Sequence, residues 1–157
     1  MTRQDALVII WRRLLIILVV VLAICAAVTF YGGNERVTSL VFLLGNVGGY
    51  VSAHRSLASM TDDEVINFSG SWLGLVVPPL VGGILGIVLY ILFLSNLIGG
   101  DVFPKFEADK NAPIGFEALF YQHAVDMPAY AKLFFWAFIA GFNQNYVVDL
   151  INSVRSK

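Results

Sequence analysis

The chain has 157 residues, of which 58% are hydrophobic and 13% are charged, and its mean hydropathy is +0.77. A soluble domain carries about 25% charged residues, so this composition predicts a membrane protein rather than a fold exposed to water. The formal net charge of −1, with no basic stripe to neutralise phosphates, excludes a nucleic-acid partner.

The first apolar run predicts a membrane-spanning helix over residues 11–31. A helix of this length is roughly 30 Å long, which matches a hydrocarbon core. Trp11 at its start and Tyr31 at its end suit the aromatic belts of a membrane. The run exceeds the hydrophobic region of a signal peptide and lacks a clear cleavage site, so we expect it to be retained. Cys25, the single cysteine, can form no internal disulfide and is interpreted as a packing residue.

The second apolar run predicts a span over residues 37–53, followed by a cytoplasmic linker over residues 54–70. His54 at the start of the linker is interpreted as an interfacial anchor. Thr61, with Glu64 three residues later, forms a capping box that predicts a short helix. This helix either continues into the third span or is divided from it at Gly70.

The third span is predicted over residues 71–98. Pro78 and Pro79 lie inside it and remove two backbone donors, which frees carbonyls one turn earlier. The two prolines therefore predict a kink in this span.

Residues 99–126 are predicted to be external, with an exposed loop over residues 101–113. The stretch over residues 114–124 is amphipathic and too short to span, which predicts an interfacial helix on the membrane surface. Asp126 then caps the last span, residues 127–143, with Pro128 in its first turn. Lys132 lies near the end of this short span and can snorkel to the head groups. Residues 144–157 are predicted to form an amphipathic helical tail.

The basic residues predict the orientation of the four spans. Four crossings place both termini on one side, and the cytoplasmic side then holds six basic residues against three outside. The cytoplasmic six are Arg3, Arg12, Arg13, Arg55, Arg155 and Lys157, and the external three are Arg36, Lys105 and Lys110. The positive-inside rule therefore favours cytoplasmic termini.

Two clusters of small residues predict close helix packing in the second and third spans. Membrane helices associate through close packing and hydrogen bonds, which favours small residues spaced by four. The clusters are Gly45, Gly48, Gly49 and Ser52 in the second span and Gly82, Gly83 and Gly86 in the third. Asn46 lies between these glycines. Its side chain is interpreted either as a group that hydrogen-bonds to another helix or as part of the lining of a polar path.

The sequence contains no motif for catalysis, cofactor binding or metal binding, so it predicts a protein that is not an enzyme. Glu117 and His123 are six residues apart and do not share a helix face. No ionisable residue lies in the middle of a span, which argues against a secondary transporter.

The stretch "FIAGFNQNYVVDLINSV", the glycine-rich second span and "PLVGGILGIVLY" resemble parts of small multi-span bacterial inner-membrane proteins. The resemblance implies a bacterial inner (plasma) membrane location. It implies no activity, and no site residues carry over.

The predicted fold is all-α: a polytopic membrane helical bundle of four membrane segments plus amphipathic interfacial helices, in a single integral domain. Two functional hypotheses follow. The first is a homo-oligomer that self-assembles through the small-residue faces, with an ion channel or pore as one form of it. The second is an accessory or anchoring subunit that docks a partner protein through cytoplasmic helices over residues 56–68 and 145–154.

Overall fold

A computed structural model of the chain describes residues 2–31 and 36–144. Within them are five α-helices: α1 (Arg3–Tyr31), α2 (Arg36–Ser59), α3 (Asp62–Gly70), α4 (Trp72–Leu94) and α5 (Met127–Phe142). Between α4 and α5 come strand β1 (Phe106–Ala108), a 3₁₀ helix (Phe116–Tyr121) and strand β2 (Gln122–Ala124). The prediction of an all-α chain is therefore confirmed. Residues 32–35, between the first two predicted spans, and residues 145–157 of the predicted tail lie outside the described residues.

The long helices run alternately up and down. Gly45 of α2 packs on Gly82 of α4, and Gly49 packs on Pro78, so these two helices are antiparallel. Gly45 also contacts Gly141 of α5, whose direction is the same as that of α2. One end of the bundle, the α3 end, holds the start of α1, the end of α2 and the start of α4. The other, the hairpin end, holds the end of α4 and the start of α5.

Two of the described helices, α1 and α4, are long and apolar enough to cross a membrane. Helix α2 has 24 residues, but its glycines, serines and Asn46 leave it less apolar. Helix α5 has 16 residues and is about 24 Å long, shorter than a hydrocarbon core. The structure thus contains two candidate membrane spans where the sequence predicts four.

The helix boundaries differ from those predicted for the spans. Helix α1 begins at Arg3, well before residue 11, and α2 continues past residue 53 to Ser59. The predicted linker is therefore mostly helical. Helix α3 ends at Gly70, and the Ser71 hydroxyl accepts a hydrogen bond from the Gly74 N–H (3.1 Å), which starts α4 separately. Gly70 therefore divides the two helices.

The interfacial helix predicted over residues 114–124 is wrong. This segment holds the 3₁₀ helix and β2, and β2 pairs antiparallel with β1 inside the predicted exposed loop. The register pairs Phe106 with Ala124, and both side chains are buried. Gly115 has a φ of 114°, which no α-helix accommodates. A pattern that looks helical along the chain is here overridden by pairing with a distant strand.

The start of α5 is capped as predicted, and side chains of α5 also hold the loop that follows α4. The Asp126 carboxylate accepts a hydrogen bond from the Ala129 N–H (2.8 Å), and Pro128 lies in the first turn. The Lys132 ammonium donates to the Asp101 carbonyl, so it binds the loop after α4. The Trp136 indole N–H donates to the Val102 carbonyl (3.0 Å).

At the α3 end, three helix segments form a small core of their own, which we call the helical cap. It comprises residues 3–14 of α1, residues 53–59 of α2, and α3. Its buried side chains pack with Leu75 of α4 and are Ala6, Ile10, Leu14, Leu57 and Val65. Arg3 forms an ion pair with Asp62 (2.9 Å), and the Arg13 guanidinium donates to the Ser69 carbonyl (2.6 Å). The cap therefore joins the first helix to the third through both apolar and polar contacts.

The capping box of α3 is confirmed. The Glu64 carboxylate accepts hydrogen bonds from the Thr61 backbone N–H (2.8 Å) and from the Thr61 hydroxyl (2.9 Å). These bonds favour the ionised form and hold the pKa of the Glu64 carboxyl below its ordinary value.

This capping box makes the stability of α3 depend on pH. Because the folded-state pKa of Glu64 is lowered, its contribution is present above the pKa of the unfolded chain and is lost as the pH falls through the folded pKa. We expect the α3 amides to lose protection against hydrogen exchange on acidification, after correction for intrinsic exchange rates. Glu64→Gln should reduce this response, whereas Asp63→Asn, which leaves the Thr61 bonds intact, should keep it. An unchanged pH response in Glu64→Gln would contradict the assignment.

Candidate functional site

Helices α2, α4 and α5 meet at a set of glycines whose missing side chains allow backbone-to-backbone contact. We call this set the glycine contact: Gly45, Gly48, Gly49, Gly82, Gly83, Gly86 and Gly141. The structure brings the six glycines singled out in the second and third predicted spans into this one region. The faces that they form therefore pack within a single chain.

The α2–α4 part of the contact leaves no room for a β-carbon. A Cβ built on Gly45 would lie 2.9 Å from the Gly83 Cα, and one on Gly49 would lie 2.9 Å from the Pro79 Cα. Both would also strike a carbonyl oxygen, that of Gly82 or Pro78 respectively. Real Cβ atoms essentially never approach other heavy atoms within 3.0 Å, so any larger residue must move a helix.

Helix α5 enters the contact through Gly48 and Gly141. A Cβ on Gly48 would lie 2.7 Å from the Phe142 backbone nitrogen, and one on Gly141 would lie 2.8 Å from the Gly49 nitrogen. Gly141 lies outside the two small-residue clusters that were predicted from the sequence. The available signal was Ala137, which precedes Gly141 by four residues and forms the same kind of small-residue pair.

Among the described residues, the hydrogen bond of the Asn46 side chain is made within α2. Its side-chain nitrogen donates to the Phe42 carbonyl of its own helix (3.0 Å) and lies against Gly83 of α4. Asn46 also borders a cavity between α1, α2 and α4 of about 10 Å³. A water molecule needs about 10–15 Å³, so this cavity provides no polar path at Asn46.

Pro78 and Pro79 lie within a continuous α4. The Gln144 side chain donates a hydrogen bond to the Pro78 carbonyl (3.1 Å), close to Gly49. The prolines thus lie at one of the closest contacts between α4 and α2. The kink in this helix stays a prediction.

Ser52 is separated from the glycine contact. It lies on the part of α2 that extends beyond the end of α5, where it lines an open notch of about 400 Å³. The remaining residues of the notch are Arg55, Ser56, Ser59, Phe142 and Asn143.

Aromatic and basic side chains lie side by side at the α3 end. The Trp11 and His54 rings are 4.4 Å apart, and the Arg13 guanidinium lies 4.8 Å from the centroid of the Trp72 ring. Arg55 is adjacent to His54 in sequence. This arrangement places the early part of α1, the end of α2 and the start of α4 at one level, and such a grouping is typical of residues at a membrane–water interface.

A wider apolar groove of about 250 Å³ separates the later part of α1 from α2 and α4. Its polar members include Thr38, Ser39 and Cys25. The Cys25 carbonyl accepts hydrogen bonds from the hydroxyls of Thr29 (2.7 Å) and Ser39 (3.4 Å). The Cys25 side chain is buried, so this residue packs against the groove.

The described residues hold no group of three or more His, Cys, Asp or Glu side chains that could bind a metal ion. The site is one of helix packing, with aromatic and basic side chains grouped at one end of the bundle. Comparison of the chain with models of protein families, with curated proteins and with solved structures found no match.

Because the glycine contact lies within one chain, a methyl group added to one of its glycines should destabilise the isolated subunit. Gly45→Ala should lower the free energy of unfolding by at least about 1–3 kcal/mol, because overpacking forces α2 and α4 apart. Gly70→Ala is the matched control, since a Cβ there meets nothing within 4 Å. Unfolding by denaturing detergent at several protein concentrations measures both effects. Equal stability of the two variants, or a loss that varies with protein concentration, would contradict an intramolecular contact.

Proposed function

We propose that the chain is a non-catalytic integral membrane protein with four membrane segments, an anchoring or accessory subunit that presents its helical cap to a partner protein. The observation that carries this proposal is the use of the small-residue faces. They pack α2, α4 and α5 within one subunit, which leaves a rigid bundle with a folded cap at one end. Such a bundle suits a fixed anchor.

The exposed surface of α1 supports placement in a membrane. Only 11% of its most apolar stretch is buried, against 39% for α4. A core helix of a soluble protein would be mostly buried. The exposed large apolar side chains of α1 include Val8, Leu15, Ile16, Val19, Val20, Ile24 and Phe30. Lipid tails can cover such a surface, so that its apolar side chains are not exposed to water.

The helical cap supports retention of α1 and a role for the α3 end. Arg3 and Arg13 tie α1 to α3, so the first helix forms part of the folded cap. The outer side of α3 carries exposed Asp62, Asp63 and Glu64. An exposed, acidic and well-packed element of this kind offers a partner protein charge complementarity without first having to order itself.

Helices α2 and α5 complete the four-segment proposal. Both run antiparallel to α4 and pack against it. We place the α3 end in the cytoplasm because it holds Arg12, Arg13 and Arg55. The resemblance to small multi-span bacterial proteins supports the bacterial inner membrane as the location.

Cysteine labelling tests this topology. In a Cys25→Ser background, Asp63→Cys should react with a membrane-impermeant maleimide only from the cytoplasmic side. Lys110→Cys, at the hairpin end, should react only from the outside. Labelling of both positions from one side would refute a bundle with its two ends on opposite faces of the membrane.

The second candidate function, a homo-oligomer that forms a channel or pore, is favoured by one observation. The exposed face of α1 could contact a second copy as readily as lipid. A pore would then have to form between subunits, since the cavity at Asn46 is too small to hold a water path.

The mass of the protein in lipid nanodiscs distinguishes the two functions. The anchoring proposal predicts the mass of one chain and no ion flux through liposomes. Substituting Ile16 and Val20, both on the exposed face of α1, with alanine should leave that mass unchanged. A multiple of the chain mass that these substitutions reduce, together with ion flux, would support the pore and overturn the anchor.

A further inference from the structure

The notch at the end of α5 is lined mainly by polar side chains. Helix α5 reaches only as far as Gly48 of α2, which contacts the Phe142 backbone. From there α2 continues for roughly two turns before it reaches Arg55. Among the described residues, the notch therefore lies between the last turn of α5 and the part of α2 that continues past it.

The side of the notch formed by α2 is polar, because polar residues recur along this helix with helical spacing. Ser52, Arg55, Ser56 and Ser59 recur at intervals of three and four residues, so they share one helix face. The Ser56 hydroxyl donates to the Ser52 carbonyl (3.1 Å), and the Ser59 hydroxyl donates to the Ser56 carbonyl (2.9 Å). Both of these hydroxyls are hydrogen-bonded within the helix, but each can rotate to donate outward to a ligand instead.

Arg55 supplies the positive charge of the notch. Its guanidinium lies 5.9 Å from the centroid of the Phe142 ring, which holds it over the end of α5. Within residues 2–31 and 36–144, no carboxylate lies at ion-pair distance from Arg55. The carboxyl end of α5 attracts this cation through its partial negative charge. A guanidinium has five N–H donors, enough to serve a helix end and an anion together.

The level of the notch along the bundle indicates which class of anion it would bind. His54 contacts Trp11, and both belong to the level of interfacial aromatic and basic residues that also includes Trp72. Head groups occupy this level in a membrane. Arginine binds phosphate through paired, charge-assisted hydrogen bonds, and serine hydroxyls add further donors.

We propose that the notch binds the phosphate of an anionic phospholipid from the cytoplasmic leaflet, with Arg55 as its main ligand and Ser52, Ser56 and Ser59 as supporting donors. The acyl chains of the lipid would extend past Phe142 along the outer surface of α5. The inference rests on the membrane placement proposed above.

The test is native mass spectrometry of the full-length protein in detergent, titrated with dioleoylphosphatidylglycerol. Arg55→Gln should weaken lipid binding about tenfold, because a charge-assisted hydrogen bond is lost. Arg55→Lys, which keeps the charge but not the paired donors, should fall between this variant and the unmodified protein. Arg12→Gln removes an exposed arginine from α1 near the same level and should bind lipid normally.

Two results would overturn the proposal. The first is equal lipid binding by Arg55→Gln and Arg12→Gln. The second is Arg55-dependent binding of inorganic phosphate that is as tight as that of the lipid, which would make a free anion the occupant. The labelling of residues 63 and 110 is read separately. If both label from one side, the membrane topology fails whatever the lipid titration shows.

Discussion

The rest of the bundle depends on backbone contact between α2, α4 and α5. Lipid tails are as apolar as leucine, so helices in a bilayer gain little by burying apolar faces and associate through close packing. Glycines at Gly45, Gly49, Gly82 and Gly141 let three backbones approach within van der Waals distance. This contact fixes the level at which α5 ends. It therefore creates the notch on one side and places the start of α5 beneath the hairpin on the other.

Helix α1 is held by different physics. It takes no part in the glycine contact, and most of its apolar length is exposed. Its attachment is concentrated in the helical cap, where Ile10 and Leu14 are fully buried and Arg3 pairs with Asp62. A cap in water gains stability from apolar burial, which is the driving force missing inside the bilayer. In the proposed membrane placement, one chain thus uses small residues where its solvent is lipid and large apolar residues where its solvent is water.

Features that depend on neighbouring residues in the chain could be predicted from the sequence. The Thr61–Glu64 capping box and the Asp126 cap are each set within a few residues. The break at Gly70 was one of the two alternatives that the sequence left open. Features that depend on distant partners could not. The β1–β2 pairing joins Phe106 to Ala124, and no periodicity within either short strand indicates the other. Asn46 shows the same limit, because a side chain in a helix can bond to its own Phe42 carbonyl as readily as to another helix.

The intramolecular use of the glycines also restricts how the protein can associate with others. A surface already filled by backbone contact cannot serve a second subunit without unfolding the first. Among the described residues, partners can approach surfaces that the fold leaves open, which include the apolar face of α1, the acidic side of α3 and the notch beside Arg55. These three surfaces differ in chemistry, since the first suits apolar helices or lipid tails, the second a basic protein surface and the third an anion. The closed middle of the bundle therefore supports the proposed anchoring role over a path within one subunit.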